Sequence, residues 1–481
     1  MKVTLTVDAE NKIAEINPRL YGGFVEHLGR NVYGGVYAPD DPTADEDGFR
    51  KDVLELVRDL DIPVTRYPGG CFSSSWFWED GVGKDRPVRL DTYWKQLEPN
   101  TFGLSEFMKW AKKAKTEPLL TFNISMRPAV DSARMVEYCN FPGGTALSDM
   151  RRANGDEEPY GVKLFCLGNE QYGSWEYGHA PAEVYGVRAR EVVKQVRNLQ
   201  PDAKFILCGD ADSMEWNEKV LDICYDYVDM LSIHFGIWTG EENDDTYFDR
   251  LNTCRRYIED SINVCEKIRK KHNSEKRLTL AVDEWILWNS VKDPVPGEEW
   301  TCGMHLLEQD YFLRDVLMVG GLYSLFHNTA DKVSLVCEAQ TVNVIAPIRT
   351  APNGVIWKQG IYYPIRYASR YGRGTALKIE GAPARLHVSA VDSKEQNEVA
   401  LYLTNTTFEE IKLDCDLVRF GGEEWSVAEA VMLTSTDEKS CNTADKTVLA
   451  PEELKNVSTA GNTLNATLSP RSWNFVLLRR K

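Results

Sequence analysis

The chain has 481 residues, 43% of them hydrophobic and 27% charged, with a formal net charge of −17 and a pI of about 5.1. That length exceeds a single ordinary core and implies two domains, and the composition is that of a globular protein. So acidic a chain argues against nucleic acid or an anionic membrane as partner and favours a neutral or cationic small substrate.

No apolar run reaches the ~18 residues of a membrane span. Met1 to Glu10 alternates like a strand and has no apolar core of a signal peptide, so no export signal is expected. The 11 cysteines are odd in number, scattered and free of any C-x-x-C pair. Cys166, Cys208 and Cys337 sit inside apolar, strand-like runs. They read as buried free thiols of a cytoplasmic protein rather than disulfides or zinc ligands. The Asn-x-Thr triplets at Asn405 and Asn465 then carry no glycan.

In chain order, Val3, Leu5, Val7 and Ile13 mark one or two strands before anything helical. From Leu20 onward a strand-then-helix unit recurs eight times. The first is Leu20–Glu26 with the helix Gly48–Asp61, whose Val53, Leu54, Val57 and Leu60 keep helical spacing. The next are Pro63–Tyr67 with Leu104–Lys115, and Pro118–Ile124 with Ser132–Cys139. Val162–Glu170 with Ala182–Leu199 and Lys204–Gly209 with Glu218–Tyr227 follow. The last three are Val228–His234 with Tyr247–Lys271, Arg277–Trp285 with Leu306–Phe326, and Lys332–Gln340 with Gln359–Tyr371. Near-continuous apolar strands alternating with helices predict an α/β fold, a closed parallel (β/α)8 TIM barrel. A doubly wound open sheet would want a G-x-G-x-x-G turn after an early strand, and the chain has none.

Beyond Gly374 the periodicity becomes that of strands separated by polar turns: Leu377–Ile379, Leu386–Val391, Val399–Thr404, Val427–Leu433 and Trp473–Leu478. This predicts a C-terminal antiparallel β-sandwich, jelly-roll-like, acting as a structural brace or a sugar-binding module. The expected division is 1–16, strands packing with the sandwich; 17–375, the catalytic barrel; and 376–481, the sandwich.

A TIM barrel collects its chemistry at the C-terminal ends of its strands. Here those ends carry Glu26, His27, Arg66, Asn123, Asn169, Glu170, Asp210, His234, Glu284 and Gln340. Two long apolar runs share one design, a carboxylate where the strand runs out: Val162-Lys163-Leu164-Phe165-Cys166-Leu167-Gly168-Asn169-Glu170 and Leu278-Thr279-Leu280-Ala281-Val282-Asp283-Glu284-Trp285. Two opposed carboxylates, one protonated to release a leaving group and one ionised, are what glycoside hydrolysis needs. Asn169 is placed to bind a sugar 2-hydroxyl, and Arg66 to pair with Glu284 and keep it ionised. Glu26 and Gln340 are candidates for ring hydroxyls. His234 is a hydrogen-bond partner of either carboxylate or a satisfied core histidine. His27, His179, His234 and His305 lack metal-ligand spacing, so no metal and no cofactor are expected. Trp76, Trp78, Trp94, Trp175, Trp238, Trp288 and Trp300 fall in or near the β-to-α loops, where indoles stack on sugar faces. The long loop from Asn289 to Met304 reads as a lid or an oligomer contact.

These residues form a recognisable set. The runs Tyr21-Gly22-Gly23-Phe24-Val25-Glu26-His27-Leu28-Gly29-Arg30, Tyr33-Gly34-Gly35, Arg66-Tyr67-Pro68-Gly69-Gly70 and Trp78-Glu79-Asp80-Gly81-Val82-Gly83 come first. Leu167-Gly168-Asn169-Glu170, Asp283-Glu284-Trp285 and Ala339-Gln340-Thr341-Val342-Asn343-Val344-Ile345-Ala346-Pro347 follow in order. Over essentially the whole chain the sequence resembles glycoside hydrolase family 51, the intracellular α-L-arabinofuranosidases. The resemblance implies a retaining mechanism with Glu170 as general acid/base and Glu284 as nucleophile. It also implies an arabinose subsite lined by Glu26, Arg66, Cys71, Asn169 and Gln340, with Trp94 near it, and a cytoplasmic homo-oligomer, a hexamer, needing no metal.

Two stretches depart from the family pattern. Two residues after the strand-six histidine the family carries a tyrosine; here His234-Phe235-Gly236-Ile237-Trp238 has Gly236 there, with Trp238 a candidate to fill the gap. Asn123-Ile124-Ser125-Met126-Arg127-Pro128 replaces the usual Asn-Leu-Gly-rich turn. The expectation is a retaining exo-hydrolase of terminal α-L-arabinofuranosyl groups, with carboxyls roughly 5 Å apart and Glu170 holding the higher pKa. The rivals are a retaining furanosidase for β-D-galactofuranosides or α-D-arabinofuranosides, and a catalytically silent sugar-binding protein.

Overall fold

The structure, a computed structural model, describes residues 1–238, 243–288, 295–420 and 424–480. Eight parallel strands form the barrel: β1 (Gly23–Phe24), β2 (Val64–Tyr67), β3 (Glu117–Thr121), β4 (Leu164–Leu167), β5 (Lys204–Leu207), β6 (Met230–Trp238), β7 (Thr279–Trp288) and β8 (Val333–Glu338). Each pairs with the next, and Gly22 bridges to Cys337 in parallel, so the sheet closes on itself. The expected TIM barrel is present.

Period-2 alternation sorts the side chains. Phe24, Val64, Leu119, Leu164, Cys166, Ile206, Met230, Ala281, Leu335 and Cys337 fill the barrel interior. Phe165, Leu167, Phe205, Leu207 and Val282 turn outward to the helices. The helix Lys51–Leu60 lays Val53, Leu54, Val57 and Leu60 on that outer layer and ends where Asp61 turns left-handed at φ 53°. Several boundaries differ from the periodicity. β1 is only two residues long, because the chain leaves the sheet at Val25 for an irregular stretch. The third crossover carries two helices, Ala129–Asn140 and Ala146–Ala153. The last helix spans Tyr362–Tyr371.

The C-terminal part is a ten-stranded sheet. Its two ends meet, Thr459 Oγ1 donating to the Trp425 carbonyl at 2.9 Å, so the sheet curls around one core that includes Leu5, Leu401, Leu413, Leu464 and Leu478. Ile411–Val418, Val457–Ala460 and Thr463–Leu468 are strands that the five expected runs did not include. The N-terminal strand Lys2–Glu15 belongs to this sheet, antiparallel to Thr375–Glu380 and parallel to Ile411–Val418. Where sheet and barrel meet, His327 is fully buried: Nε2 bonds the Tyr21 hydroxyl at 3.0 Å and Nδ1 the Ser389 hydroxyl at 2.9 Å. Of the loop expected to act as a lid or contact, 289–294 lies outside the described residues; Trp300, further along it, is 42% exposed.

Candidate active site

The two glutamates reach the barrel mouth by different local devices. After β4 the chain turns through Gly168 at φ 81°, and Glu170 itself takes φ 40°, a left-handed conformation that non-glycine residues adopt only when their surroundings enforce it. In β7 the register with β6 slips between Ala281 and Glu284. Such a bulge breaks the in–out alternation. As a result the adjacent Asp283 and Glu284 both reach groups on the barrel axis.

Those groups form one connected cluster. Arg66, at the end of β2, donates from Nη1 to Glu284 at 3.0 Å and from Nη2 to Asn169 Oδ1 at 2.9 Å, while its Nε lies 3.5 Å from Asp283. Its guanidinium is fully buried and rests on the Phe24 ring at 4.8 Å. His234 Nδ1 sits 3.0 Å from Glu170 and 3.8 Å from Glu284; its Nε2 is 3.6 Å from Asp283. One carboxylate oxygen of Glu170, one of Glu284 and a His234 nitrogen all lie within 4.8 Å of one another. Trp175 Nε1 donates to Glu170 at 2.7 Å and the Tyr172 hydroxyl at 3.2 Å.

The electrostatics reverse one expectation. Burial pushes Glu170 up, but the hydrogen bond and charge of His234, with the Trp175 and Tyr172 donors, outweigh it and hold the carboxyl below its ordinary value. Glu284 is raised by burial and by the charge of Glu170, against the pull of His234 and Arg66. In the sugar-free cleft Glu170 is therefore the more acidic of the pair, because His234 leans on it more closely. Burial disfavours the imidazolium, but Glu284, Asp283 and Glu170 together push the His234 pKa up to about 10. Glu170, His234 and Glu284 also have the spacing of three metal ligands.

Beside Glu284 and Arg66 lies a buried cluster of polar side chains. Glu26 accepts from the Phe72 amide at 3.1 Å, from Trp94 Nε1 at 3.2 Å and from Gln340 Nε2 at 2.7 Å. Burial, then the charge of Glu284, raises its pKa to about 8. Asn31 fixes Gln340 from behind at 2.8 Å. Asn169 Nδ2 faces Cys71 Sγ at 3.7 Å and Glu176 at 3.0 Å. Gly70 is needed here: a Cβ on it would stand 3.2 Å from oxygens of both Glu26 and Glu284, inside the space between them.

Above the pair a cleft of about 460 Å³ opens, lined by Tyr172, Trp175, Asp210, Asp212, His234, Gly236 and Trp238, with Glu170 and Glu284 at its floor. Trp238 covers Gly236, its Nε1 lying 2.9 Å from where a Cβ on that residue would be. The indole also packs on Trp288, ring centres 4.8 Å apart.

The structure thus links Glu26, Arg66, Cys71, Trp94, Asn169, Glu170, His234, Glu284 and Gln340 through hydrogen bonds and close contacts, and Trp238 lines the cleft beside Glu170 and Glu284. It places two other strand-end groups elsewhere. His27 bonds Glu98 at 2.7 Å and the Tyr67 hydroxyl at 2.9 Å within an aromatic cluster. Asn123 ties the Trp76 carbonyl and the Met126 amide. Sequence reasoning left out Asn31, Tyr172, Glu176 and Asp283 and gave Trp175 no individual role. Only the proximity of Asp283 to Glu284 and of Trp175 to Glu170 could have signalled any of them.

Comparison with known proteins gives a consistent result. Residues 283–472 match the α-L-arabinofuranosidase C-terminal domain model and residues 56–256 the α-L-arabinofuranosidase 1 domain model. The chain is 38% identical to an intracellular exo-α-(1→5)-L-arabinofuranosidase of Bacillus subtilis strain 168, covering 100% of this chain and 99% of that protein. It is 35% identical to an exo-α-(1→6)-L-arabinofuranosidase of Bifidobacterium longum, over 98% of this chain and 96% of that one. A solved family 51 α-L-arabinofuranosidase from Bifidobacterium longum superposes with a TM-score of 0.91 at 31% identity, over 98% and 99% of the two chains. The chain is a member of the α-L-arabinofuranosidases of glycoside hydrolase family 51.

Proposed function

We propose that the protein is a retaining exo-α-L-arabinofuranosidase whose Glu284 is the nucleophile and Glu170 the general acid/base. One observation carries the reading: the oxygens of the two carboxylates come within 4.8 Å across a shared histidine. Carboxyl groups about 5 Å apart suit attack on the anomeric carbon and leave no room for a water between carboxylate and sugar. Arg66 orients Glu284 and favours its ionised form. Glu284 attacks the anomeric carbon while Glu170 protonates the departing glycosidic oxygen. The Glu170–His234 pair holds that proton. Glu170 then takes a proton from water, which attacks the covalent glycosyl-enzyme and restores the starting stereochemistry.

The polar cluster of Glu26, Cys71, Trp94, Asn169 and Gln340 supports exo-action, since the family resemblance implies that these positions line the subsite of one terminal arabinofuranosyl ring. Protonated Glu26 and the amides Asn169 and Gln340 supply donors and acceptors for its hydroxyls. The names of the relatives favour α-L-arabinofuranosyl groups over the other furanosides, and an intracellular location. The hexamer implied by the family resemblance belongs to the same reading, and mass photometry tests it.

The deciding experiment is hydrolysis of 4-nitrophenyl α-L-arabinofuranoside by wild type, Glu170→Ala and Glu284→Ala, with azide added and the anomer followed by NMR. The expected result is wild-type turnover with retention, loss of about 10⁴-fold or more in Glu284→Ala, and azide rescue of Glu170→Ala as a retained glycosyl azide. Inverted product would sink the double displacement.

A further inference from the structure

The cleft above the two glutamates has a composition that the hydrolytic mechanism does not explain. Trp175 and Trp238 both line it and are half-exposed, at 55% and 47%. Beyond them, after β5, stand Asp210 and Asp212. The Asp210 backbone is locked by buried Asn217, which accepts from the Asp210 amide and donates to its carbonyl, both at 2.7 Å. The Asp210 carboxylate in turn accepts from the Asp212 amide at 2.9 Å. These bonds hold this part of the loop in place, and both aspartates line the cleft that opens beside Glu170 and Glu284. Among the described residues neither aspartate has a lysine or arginine partner, and no lysine or arginine lines the cleft. The titratable side chains around it are Glu170, Glu284, Asp210 and Asp212 on the acidic side, with the exposed His179 and the His234 imidazolium, which already serves Glu170, Asp283 and Glu284, on the other.

A neutral sugar suits this slot: its C–H face packs on indole and its hydroxyls donate to carboxylates. A sugar acid brings a charge beside two unneutralised carboxylates in a partly desolvated cleft, and like charges there cost affinity. We infer that Asp210 and Asp212 make the leaving-group side of the cleft selective for neutral sugars, rejecting arabinofuranosyl groups attached to or adjoining a uronic acid. The inference rests on the proposed activity and names the class of glycan that activity acts on.

The test uses two substrates with the same α-L-arabinofuranosyl group, one on a methyl galactoside and one on the methyl galacturonoside, which differ only in CH₂OH against COO⁻. The readout is the ratio of the two kcat/KM values measured on one enzyme sample. In wild type at low salt the neutral substrate is favoured about tenfold, and about 0.5 M salt shrinks the ratio to about threefold through screening. In Asp210→Asn/Asp212→Asn the low-salt ratio falls toward one. Should the double variant fold poorly, Asp212→Asn alone, at an exposed position, shrinks the ratio in the same direction. A wild-type ratio near one, or a ratio indifferent to both salt and variants, overturns the inference while turnover of the neutral substrate leaves the arabinofuranosidase reading standing. No turnover of either substrate, or of the nitrophenyl arabinofuranoside, overturns both.

Discussion

Two buried histidines, one at the barrel mouth and one where the barrel meets the sheet domain, differ in charge, the first cationic and the second neutral, for reasons visible in their neighbours. His234 is ringed by Glu170, Asp283 and Glu284, which push its pKa up to about 10 despite burial. His327 has only the Tyr21 and Ser389 hydroxyls and the Tyr402 ring around it, and burial alone pushes it down to about 3. Burial by itself does not set the state of a histidine; what is buried with it does. The mouth concentrates charge where chemistry is done, and the interface uses the same residue type as a neutral hydrogen-bonding tie.

The largest expected effect comes from breaking the charge balance of the mouth. Arg66→Met leaves Asp283 and Glu284 with His234 as their one shared cation, and removing one partner from a buried ion cluster costs about 3–5 kcal/mol. Urea unfolding should show that loss, together with near-complete loss of activity. An unchanged midpoint would mean that the cluster relaxes into water.

Next is His234→Gln. Without the imidazolium both carboxyls rise, so both limbs of the kcat/KM–pH profile move upward, by about one unit. Activity falls on the order of 10²-fold. An unshifted profile would separate His234 from the titration of the pair.

At the interface the sign is opposite. The unfolded chain binds a proton at His327 near pH 6.5, which the folded chain refuses until about 3. The stability held by the neutral form is therefore complete above about 6.5 and is lost as pH falls. Between pH 7 and 5 this site accounts for about 2 kcal/mol. His327→Gln should flatten that stretch of the stability–pH curve while leaving the profile of activity in place.

The smallest effect is expected at the rim. Trp238→Ala removes one indole from the leaving-group side and should raise KM for an arabino-oligosaccharide several-fold, about 1 kcal/mol. Gly236→Tyr should do the same by evicting the indole that lies over Gly236. If Gly236→Tyr improves turnover instead, the tyrosine of the family pattern serves this scaffold better than Trp238.

Much of this was legible in the chain itself. Apolar runs of strand length alternating with amphipathic helices point to a parallel sheet covered by helices on its exposed faces, and eight such units without a Gly-rich phosphate turn point to the closed barrel. Where such strands stop, a carboxylate is exposed to the axis, so Glu170, Glu284, Glu26 and Arg66 could be picked from position alone. The partners across the barrel could not. Asp283 was given no role beside Glu284, because alternation would put neighbours on opposite faces and only a register slip brings both inward. Glu176 reaches Asn169 only through a folded loop, and Asn31 meets Gln340 from the other end of the chain. The order of acidity of the two glutamates was misjudged for the same reason. Role assigns the higher pKa to the acid, but the distance from His234 to each oxygen, a purely tertiary quantity, decides which carboxyl is held ionised before the sugar arrives. Local periodicity determines which residues reach the axis; three-dimensional packing alone decides which charges stand within 4 Å, where Coulomb energies are large enough to reorder them.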